Sequence, residues 1–483
     1  MAEPSGTSDY PGAAFDAVWR RLVFPADYTP PDARRRYDLV VIGAGPAGLV
    51  TAIAAAGLGA DVALVERAAM GGDCLNAGCV PSKSLLEFTR GARSDADFDA
   101  AYAWLREVRA AISQHDSVQR YTDAGVDVFL GSAKFVDQDT VLVGHVRLNT
   151  RRTVIATGSR PALPPIEGLA ESRPLTNETL FDLKQRPRRL GIIGGGAVGC
   201  EIGQAFSRLG VEVTLIETAD RLLPREAPGA SEAVAGALAA GGVHVELGSQ
   251  VRGVERRGAV VTIAIDGGAG RREIHADELL VATGRRANTD ELNLVAVGVE
   301  TDGTGRIAVD RHLRTTNHRI YAAGDVCSAL QLTHNADAQA RIVVQNALFL
   351  PTARADKLIV PRCTYTDPEV AQLGPLAAEL ERTGVAFDTY RTTFGELDRG
   401  RTQGDTDGFV EVLTAAGGDQ ILGATLVGRD AGEQVAMLAF AMSNGLGLGA
   451  FAGTVLPYPT RAEYVRKLAD QYNRKRLTPF AKR

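Results

Sequence analysis

Two cysteines, Cys74 and Cys79, are close enough in sequence to form one chemical site. Four residues separate them within the segment Gly-Gly-Asp-Cys-Leu-Asn-Ala-Gly-Cys-Val-Pro-Ser-Lys, and so short a gap permits a disulfide if the loop turns. The Pro-Ser-Lys after Cys79 predicts the start of a helix, whose dipole would lower the pKa of this thiol and favour the thiolate. Because a single Cys-x4-Cys has no second ligand pair, the spacing favours redox chemistry over a zinc site.

Two segments of the chain repeat one pattern: a strand, a Gly-x-Gly-x-x-Gly turn, a helix, and a second strand that ends in glutamate. In both, the glutamate follows the first glycine by 23 positions. Such a turn lets backbone N–H groups at a helix N-terminus approach a pyrophosphate, and the glutamate is placed to bind ribose hydroxyls. We therefore predict two dinucleotide sites with electron transfer between their ligands. The first repeat contains Gly43, Gly45, Gly48 and Glu66, and the second contains Gly194, Gly196, Gly199 and Glu217.

Three later strands each end at a glycine, in the segments 154–158, 280–284 and 320–325. We expect the first two, which end in Gly158 and Gly284, to mark crossings between two nucleotide-binding domains. Asp325 closes the third segment. Its carboxylate is expected to accept a hydrogen bond from a ribityl hydroxyl of a bound flavin, and the alternative is that it caps the next helix.

Composition and charge narrow the function classes. Five cysteines are too few for a secreted disulfide framework, and they favour a reducing cytoplasm. A net charge of -5 gives no reason to propose binding to nucleic acid or to a membrane surface. Polar residues and glycines interrupt the apolar stretch 437–456, so no membrane span is predicted there. No metal-ligating residues are assigned.

Over nearly its whole length the chain resembles the pyridine nucleotide–disulfide oxidoreductases, which include dihydrolipoamide dehydrogenase, glutathione reductase and mercuric reductase. The segment around Cys74 and Cys79 and the order of the other motifs carry this resemblance. It implies FAD at the first repeat, Gly158 and Asp325, and NAD(P) at the second repeat and Gly284. It also implies an α/β fold with two Rossmann-like domains and a C-terminal α+β dimerisation domain, and hence a homodimer.

The resemblance also implies roles for single residues and a division of the chain. Cys79 would be the flavin-facing thiol and Cys74 the interchange thiol. Lys83 would pair with Glu201 near flavin N5, and His334 would open a helix aimed at the flavin pyrimidine, unless its side chain simply caps or packs. The implied boundaries are an N-terminal extension at 1–37, an FAD domain at 38–158 and 288–358, an NAD(P) domain at 159–287, a dimerisation domain at 359–475 and a tail at 476–483.

The acidic end of the second repeat favours NAD(H) over NADP(H). A carboxylate at Glu217 would bind the 2′-hydroxyl and repel a 2′-phosphate, and glycine rather than alanine at Gly199 points the same way. Arg221, four residues after the glutamate, could still tolerate NADPH. We predict NADH as the preferred donor.

The electron acceptor is the least determined feature. Disulfide-reducing members resemble one another in a C-terminal His-Pro-Thr-x-x-Glu motif, but here the segment reads Tyr458-Pro-Thr-Arg-Ala-Glu463. A phenol with an ordinary pKa of about 10 is a poor proton shuttle at neutral pH. Mercuric reductases also carry tyrosine there, although the vicinal cysteines that usually end them are missing from this sequence.

Three hypotheses follow for the function. The leading one is a mercuric-reductase-like NAD(P)H-dependent flavoprotein that passes electrons through Cys74 and Cys79 to a soft metal ion or a thiol-reactive compound. The second is a disulfide reductase of the dihydrolipoamide dehydrogenase kind, in which Tyr458 and water replace histidine beside Glu463. The third, from another class, is an FAD-holding, redox-responsive binding subunit with slow turnover.

Overall fold

The computed structural model describes residues 10–92, 94–268 and 270–477. It confirms the predicted mixed α/β fold. Parts of the predicted N-terminal extension and tail, residues 1–9 and 478–483, lie outside the described residues. The chain divides into a first unit, Met1–Pro187 with Glu278–Leu358, and a second unit, Arg188–Asp277 with Ile359–Arg483. The predicted boundaries at 158/159 and 287/288 stay predictions.

Helices are distributed over both units. In chain order the α-helices are α1 (Ala13–Val23), α2 (Pro46–Gly57), α3 (Gly72–Asn76), α4 (Cys79–Phe88), α5 (Phe98–Ser113), α6 (Val118–Asp123), α7 (Asn177–Leu180), α8 (Ala197–Arg208), α9 (Pro228–Ala240), α10 (Thr333–Leu348), α11 (Ala377–Thr383), α12 (Asp398–Gln403), α13 (Ala431–Ser443) and α14 (Tyr464–Arg476). Short 3-10 helices span Leu294–Val297, Ala355–Lys357, Phe394–Glu396, Leu448–Gly453 and Arg461–Glu463.

The strands form several sheets. In chain order they are β1 (Tyr37–Ile42), β2 (Val62–Glu66), β3 (Asp127–Leu130), β4 (Ala133–Asp137), β5 (Thr140–Val143), β6 (Val146–Ile155), β7 (Ser159–Pro161), β8 (Arg189–Ile193), β9 (Glu212–Ile216), β10 (His244–Glu246), β11 (Gln250–Arg257), β12 (Val260–Gly267), β13 (Gly270–Ala276), β14 (Glu278–Val281), β15 (Arg285–Ala287), β16 (Ile320–Ala322), β17 (Arg362–Thr364), β18 (Glu369–Leu373), β19 (Phe387–Thr393), β20 (Phe409–Ala415) and β21 (Ile421–Gly428).

The first unit is built on a parallel sheet in the order β3-β2-β1-β6, with β16 also parallel to β6. β1 and β2 read as nearly continuous apolar runs because both faces of the sheet are covered. α2 and α10 pack on one face, where Leu39, Val41 and Ala52 are fully buried. The carboxyl ends of β1 and β2 carry the first glycine turn and Glu66, which places the nucleotide motif at one edge of the sheet.

The described residues of the second unit contain three different sheets. β8, β9 and β10 are parallel and hold the second glycine turn, while β11, β12 and β13 form an antiparallel sheet. The C-terminal part is an antiparallel sheet in the order β17-β18-β21-β20-β19. Helices α13 and α14 cover it around a core that includes Leu426, Leu438 and Leu468.

No helix in residues 10–92, 94–268 and 270–477 is long and apolar enough to cross a membrane.

Candidate active site

Cys74 and Cys79 lie on two consecutive helices of the first unit. Cys74 is the middle residue of α3, and α4 begins at Cys79. The helix thus starts two residues earlier than the Pro81 that predicts it, and Cys79 stands at its first position, where the positive end of the dipole favours a thiolate. Cys74 is half-buried and Cys79 is exposed.

Cys74 and Cys79 belong to one hydrogen-bonded cluster, but their surroundings differ. The hydrogen bond to Cys79 is the largest of the influences that raise the pKa of Cys74, and burial raises it further. Cys74 is therefore a weaker acid than an ordinary cysteine thiol. Thr333, the first residue of α10, places its hydroxyl 3.4 Å from Sγ of Cys79 and opposes the rise in the pKa of Cys74. No sequence motif identified Thr333, because only folding brings it beside the cysteines.

A carboxyl group near Gly71 also influences Cys74 through its charge. Asp116 follows α5, and a Cβ built on Gly71 would lie 3.1 Å from its Oδ2. Burial raises the pKa of Asp116, while Arg120 and His115 oppose that rise. Its negative charge in turn raises the pKa of Cys74. Sequence reasoning missed this residue, since a lone aspartate 42 positions after the cysteine carries no pattern.

The first glycine turn has the geometry of a nucleotide cradle. Oε2 of Glu66 accepts the N–H of Ala44 at 2.7 Å, and Oε1 accepts the N–H of Ala68 at 2.8 Å. A Cβ at Gly48 would lie 1.7 Å from the carbonyl oxygen of Gly43, so the turn requires glycine there. α2 starts directly after Gly45 without a side-chain cap, which leaves its first N–H groups for a ligand.

A cavity of about 300 Å³ opens beside this turn. Its lining includes Gly43, Glu66, Gly131, Thr157 and Asn288. The cavity joins the glycine turn, a buried carboxylate and several polar groups. This donor set fits the adenosine half of FAD, with Glu66 toward ribose and the N-terminus of α2 toward pyrophosphate.

Asp325 takes part in a polar chain of the first unit. Its Oδ2 accepts the hydroxyl of Ser159, the residue after Gly158, at 2.7 Å. Arg285 donates to the same hydroxyl at 2.7 Å and forms an ion pair with Asp73, next to Cys74. The next α-helix begins at Thr333, so Asp325 does not cap it. These polar contacts connect Asp325, the residue predicted to bind FAD, to the cysteine segment. Arg285, which follows Gly284, takes part in them and was not predicted from the sequence.

The second glycine turn repeats the geometry of the first. Oε2 of Glu217 accepts the N–H of Gly195 at 2.6 Å, and Oε1 accepts the N–H of Ala219 at 2.8 Å. A Cβ at Gly199 would lie 1.9 Å from the carbonyl oxygen of Gly194. α8 begins after Gly196, again without a side-chain cap. The internal repeat predicted from sequence is therefore also a structural repeat, and its residues fit a second dinucleotide.

The remaining predicted residues of the flavin and nicotinamide sites are placed as follows. Lys83 is half-buried on α4 of the first unit, and Glu201 is buried on α8 of the second, where it accepts the N–H of Tyr365 at 2.9 Å. Their pairing stays a prediction. His334 is the exposed second residue of α10, as the predicted helix start requires. Gly158 and Gly284 have φ angles of 66° and 139°. They directly precede β7 and β15, which pair with each other.

Tyr458 and Glu463 lie at the start of the last helical segment. Tyr458 is 70% exposed, and its hydroxyl donates to Oδ2 of Asp398 at 2.8 Å. This carboxylate raises the pKa of Tyr458 above its ordinary value. Glu463 ends the 3-10 helix before α14. The phenol is thus a weaker acid here than in water, which extends the sequence-based argument against a proton shuttle.

The other cysteines differ in burial. Cys200 is fully buried and Cys327 is partly buried against an apolar core, as expected for packing residues. Cys363 is half-buried on β17. Within the part of the chain that the structure describes, no group of three His, Cys, Asp or Glu side chains could hold a metal ion.

Comparison with known proteins places these features in one family. The family described as "Pyridine nucleotide-disulphide oxidoreductase" matches residues 37–340, and its dimerisation domain matches residues 360–469. A mercuric reductase of Lysinibacillus sphaericus is 36% identical over 452 residues, which cover 91% of this chain and 83% of that protein. A dihydrolipoyl dehydrogenase of Bacillus subtilis (strain 168) is 32% identical, with coverage of 90% and 96%.

A solved structure is similar along most of the chain. The HOCl-induced flavoprotein disulfide reductase RclA from Escherichia coli aligns with a TM-score of 0.83 and 28% identity, covering 90% of this chain and 99% of that one. Its Cu(II) complex aligns equally well, with 89% of this chain covered. The family implies FAD and a pyridine nucleotide as cofactors, which fits the two glycine turns described above. The chain belongs to the pyridine nucleotide–disulphide oxidoreductases.

Proposed function

We propose that this protein is an NAD(P)H-dependent flavoprotein reductase whose Cys74–Cys79 pair delivers electrons to a soft metal ion or another thiol-reactive acceptor. Bound FAD would carry the electron pair from the nicotinamide to the cysteines. NAD(P)H and one proton convert the disulfide to two thiols and leave NAD(P)+. The thiols then give two electrons to the acceptor and release two protons as the disulfide re-forms.

Tyr458 is the observation that carries the choice of acceptor. A disulfide substrate releases a thiolate that must be protonated, which calls for an acid with a pKa near neutrality. Tyr458 stands where disulfide-reducing relatives have histidine, and Asp398 raises the pKa of the phenol. A soft metal ion needs no such proton, and thiolates are its preferred ligands. The mercuric reductase relatives and the Cu(II) complex of RclA support the same class of acceptor.

The side chains around the cysteines suit their two roles. Cys79, at the N-terminus of α4 and beside Thr333, would hold the thiolate next to the flavin. Cys74, whose pKa is raised, would stay protonated until an acceptor binds. Lys83 and Glu201 would form an ion pair near the flavin, and His334 would face its pyrimidine ring. Glu463 would act beside Tyr458.

Three further assignments belong to this proposal. NADH would be the preferred donor. Both carboxylate oxygens of Glu217 already accept backbone N–H groups. This carboxylate would occupy the place where the 2′-phosphate of NADPH lies. The dimerisation domain supports a homodimer. A reducing cytoplasm suits an enzyme that must keep cycling a cysteine pair.

The decisive experiment compares acceptors for one reduced enzyme. The holoenzyme is reduced anaerobically with NADH or NADPH and then mixed with mercury(II), copper(II), lipoamide, glutathione disulfide or a quinone. The proposal expects a metal ion to reoxidise it at least tenfold faster than either disulfide. Cys79→Ser should abolish both this reaction and the thiolate-to-flavin charge-transfer band. Cys363→Ser, a matched change outside the pair, should leave both intact.

Two other outcomes would favour the alternatives. Faster turnover with lipoamide, lost in Glu463→Ala, would identify a disulfide reductase of the dihydrolipoamide dehydrogenase kind, for which the Bacillus subtilis relative is the supporting observation. If neither NADH nor NADPH bleaches the flavin, the chain is instead an FAD-holding binding subunit. The second nucleotide cradle argues against that outcome, because a subunit without turnover has no need of a nicotinamide site.

A further inference from the structure

We propose that the N-terminal extension is part of the redox site: Trp19 and Asp16 on α1, acting with Arg109, position the loop between Cys74 and Cys79 through Asn76. The inference rests on the proposed redox role of the cysteine pair. α1 (Ala13–Val23) lies before residue 37, where the family match begins. The helix therefore lies outside the region that the family model matches.

Asn76 is the anchor point inside the loop. It lies between the two cysteines, as the last residue of α3. Its amide nitrogen donates to the carbonyl oxygens of Met70 and Gly72 at 3.0 and 2.8 Å, which ties the loop to the segment before it. Its amide oxygen accepts the indole N–H of Trp19 at 2.8 Å. One side chain of the extension therefore completes the hydrogen bonding of a residue between the reactive sulfurs.

Arg109 supplies a second contact with the same residue. Its Nη1 donates to the backbone oxygen of Asn76 at 3.1 Å, and its guanidinium carbon lies 4.1 Å from the centre of the Trp19 ring. Its Nη2 forms a 2.6 Å ion pair with Asp16 of α1. Arg109 is 1% exposed and Asp16 is 6% exposed. The two contacts on Asn76 are thus coupled to one another through α1.

Asp16, Arg106 and Arg109 form a buried charged cluster. Its burial indicates that it positions the loop and does more than hold α1 against α5. Arg106, also 1% exposed, lies 3.4 Å from Asp16 and donates to the carbonyl oxygen of Pro11. Burying charges is expensive, and an apolar helix face would hold α1 against α5 at lower cost. What the buried ion pairs to Asp16 add is a preferred arrangement of the arginine side chains. Here that arrangement ends on the residue between the cysteines.

The expected consequence is a shift in the equilibrium between disulfide and dithiol. The contacts with Asn76 fix the loop that carries both sulfurs. Losing them should therefore change the equilibrium between disulfide and dithiol. One hydrogen bond is worth about 1 kcal/mol, so we expect a change of about fivefold to tenfold in the equilibrium constant. A tenfold change corresponds to about 30 mV for a two-electron couple.

The test uses the full-length holoenzyme and the two tryptophans of the chain. Trp19→Phe keeps an aromatic ring on Arg109 but removes the N–H donor, and Trp104→Phe is the matched control, 42% exposed on α5. Each protein is equilibrated with dithiothreitol at graded redox ratios, and the reduced fraction of the pair is read by alkylation and mass of the peptide that contains it. Trp19→Phe should shift the midpoint by about 20–30 mV, and Trp104→Phe should not.

A double-mutant cycle separates positioning from general loosening. If Trp19 acts through Asn76, the combined Trp19→Phe and Asn76→Ser protein should show the same midpoint as Asn76→Ser alone. Additive shifts, or a Trp19→Phe midpoint equal to that of the control, would overturn the inference while leaving the proposed function intact. A wild-type pair that does not titrate as a two-electron couple would overturn both.

Discussion

The hydroxyl of Tyr458 donates a 2.8 Å hydrogen bond to Oδ2 of Asp398. A neighbouring negative charge disfavours the phenolate, so the pKa of Tyr458 is raised. A tyrosine is already protonated at neutral pH, and this contact makes the phenol of Tyr458 a still weaker acid.

Replacing Asp398, which accepts the hydrogen bond, should lower the pKa of Tyr458 again. In Asp398→Asn the carboxylate charge is lost, so the pKa of Tyr458 should fall and its phenolate should form at lower pH. Difference absorbance near 295 nm, followed during an alkaline titration, reports this change. Tyr458→Phe identifies which part of the signal belongs to this residue. An identical titration in Asp398→Asn and wild type would show that the contact does not control the phenol.

Thr333 should control the reactivity of the cysteine pair. Its hydroxyl lies 3.4 Å from Sγ of Cys79 and lowers the pKa of Cys74. Thr333→Val keeps the shape but removes the hydroxyl, and one hydrogen bond is worth about 1 kcal/mol. We expect alkylation of Cys79 by iodoacetamide at pH 7 to slow about fivefold. Thr333→Ser, which retains the hydroxyl, should react at the wild-type rate, and slowing of both variants alike would contradict this role.

Local sequence patterns predicted those parts of the site that are built from contiguous residues. The two glycine turns and their glutamates, Glu66 and Glu217, have the geometry that their spacing indicates, because a strand, turn and helix are fixed by neighbours in the chain. Cys79 at a helix start is a local feature as well.

Contacts between distant segments could not be predicted in this way. Thr333 and Asp116 lie far along the chain from Cys74, and neither belongs to a recognisable motif. The role of the extension was also undetermined, since no local pattern indicates that Trp19 contacts Asn76. Tertiary packing alone creates such pairs, so composition and periodicity carry no signal for them.

Glu217 should determine the choice of nicotinamide cofactor. Its carboxylate accepts the N–H groups of Gly195 and Ala219 and presents negative charge to the ribose side of the turn. In Glu217→Ala the KM for NADH should rise about tenfold, because a charge-assisted hydrogen bond is worth about 1.5–3 kcal/mol. The KM for NADPH should fall or stay constant, since the repulsion of a 2′-phosphate is removed.

Glu212→Ala provides the control for this change. Glu212 is the exposed first residue of β9, the strand that leads to Glu217. The steady-state rates of NADH and NADPH oxidation, at a fixed concentration of the electron acceptor, give both KM values. If the Glu217→Ala enzyme keeps the wild-type ratio of the KM for NADH to the KM for NADPH, another group selects the cofactor.

Asp116 should make the reactivity of Cys74 depend on pH. Burial raises the pKa of Asp116, but above that pKa the carboxylate is charged and raises the pKa of Cys74 in turn. Asp116→Asn removes the charge, so Cys74 should ionise at lower pH and alkylate faster at pH 7 to 9. At pH values low enough to protonate Asp116, wild type and variant should converge, because both then carry a neutral side chain at this position.

Alkylation of Cys74 is best measured in a Cys79→Ser background, where a single reactive thiol remains at the pair. Asp123→Asn is the matched control, since Asp123 is an exposed aspartate at the end of α6. Removing this charge should not change the rate. If the rates of Asp116→Asn and wild type keep the same ratio from acid to alkaline pH, the carboxylate does not act on Cys74 through its charge. A ratio that grows as the pH rises past the pKa of Asp116 is the expected result.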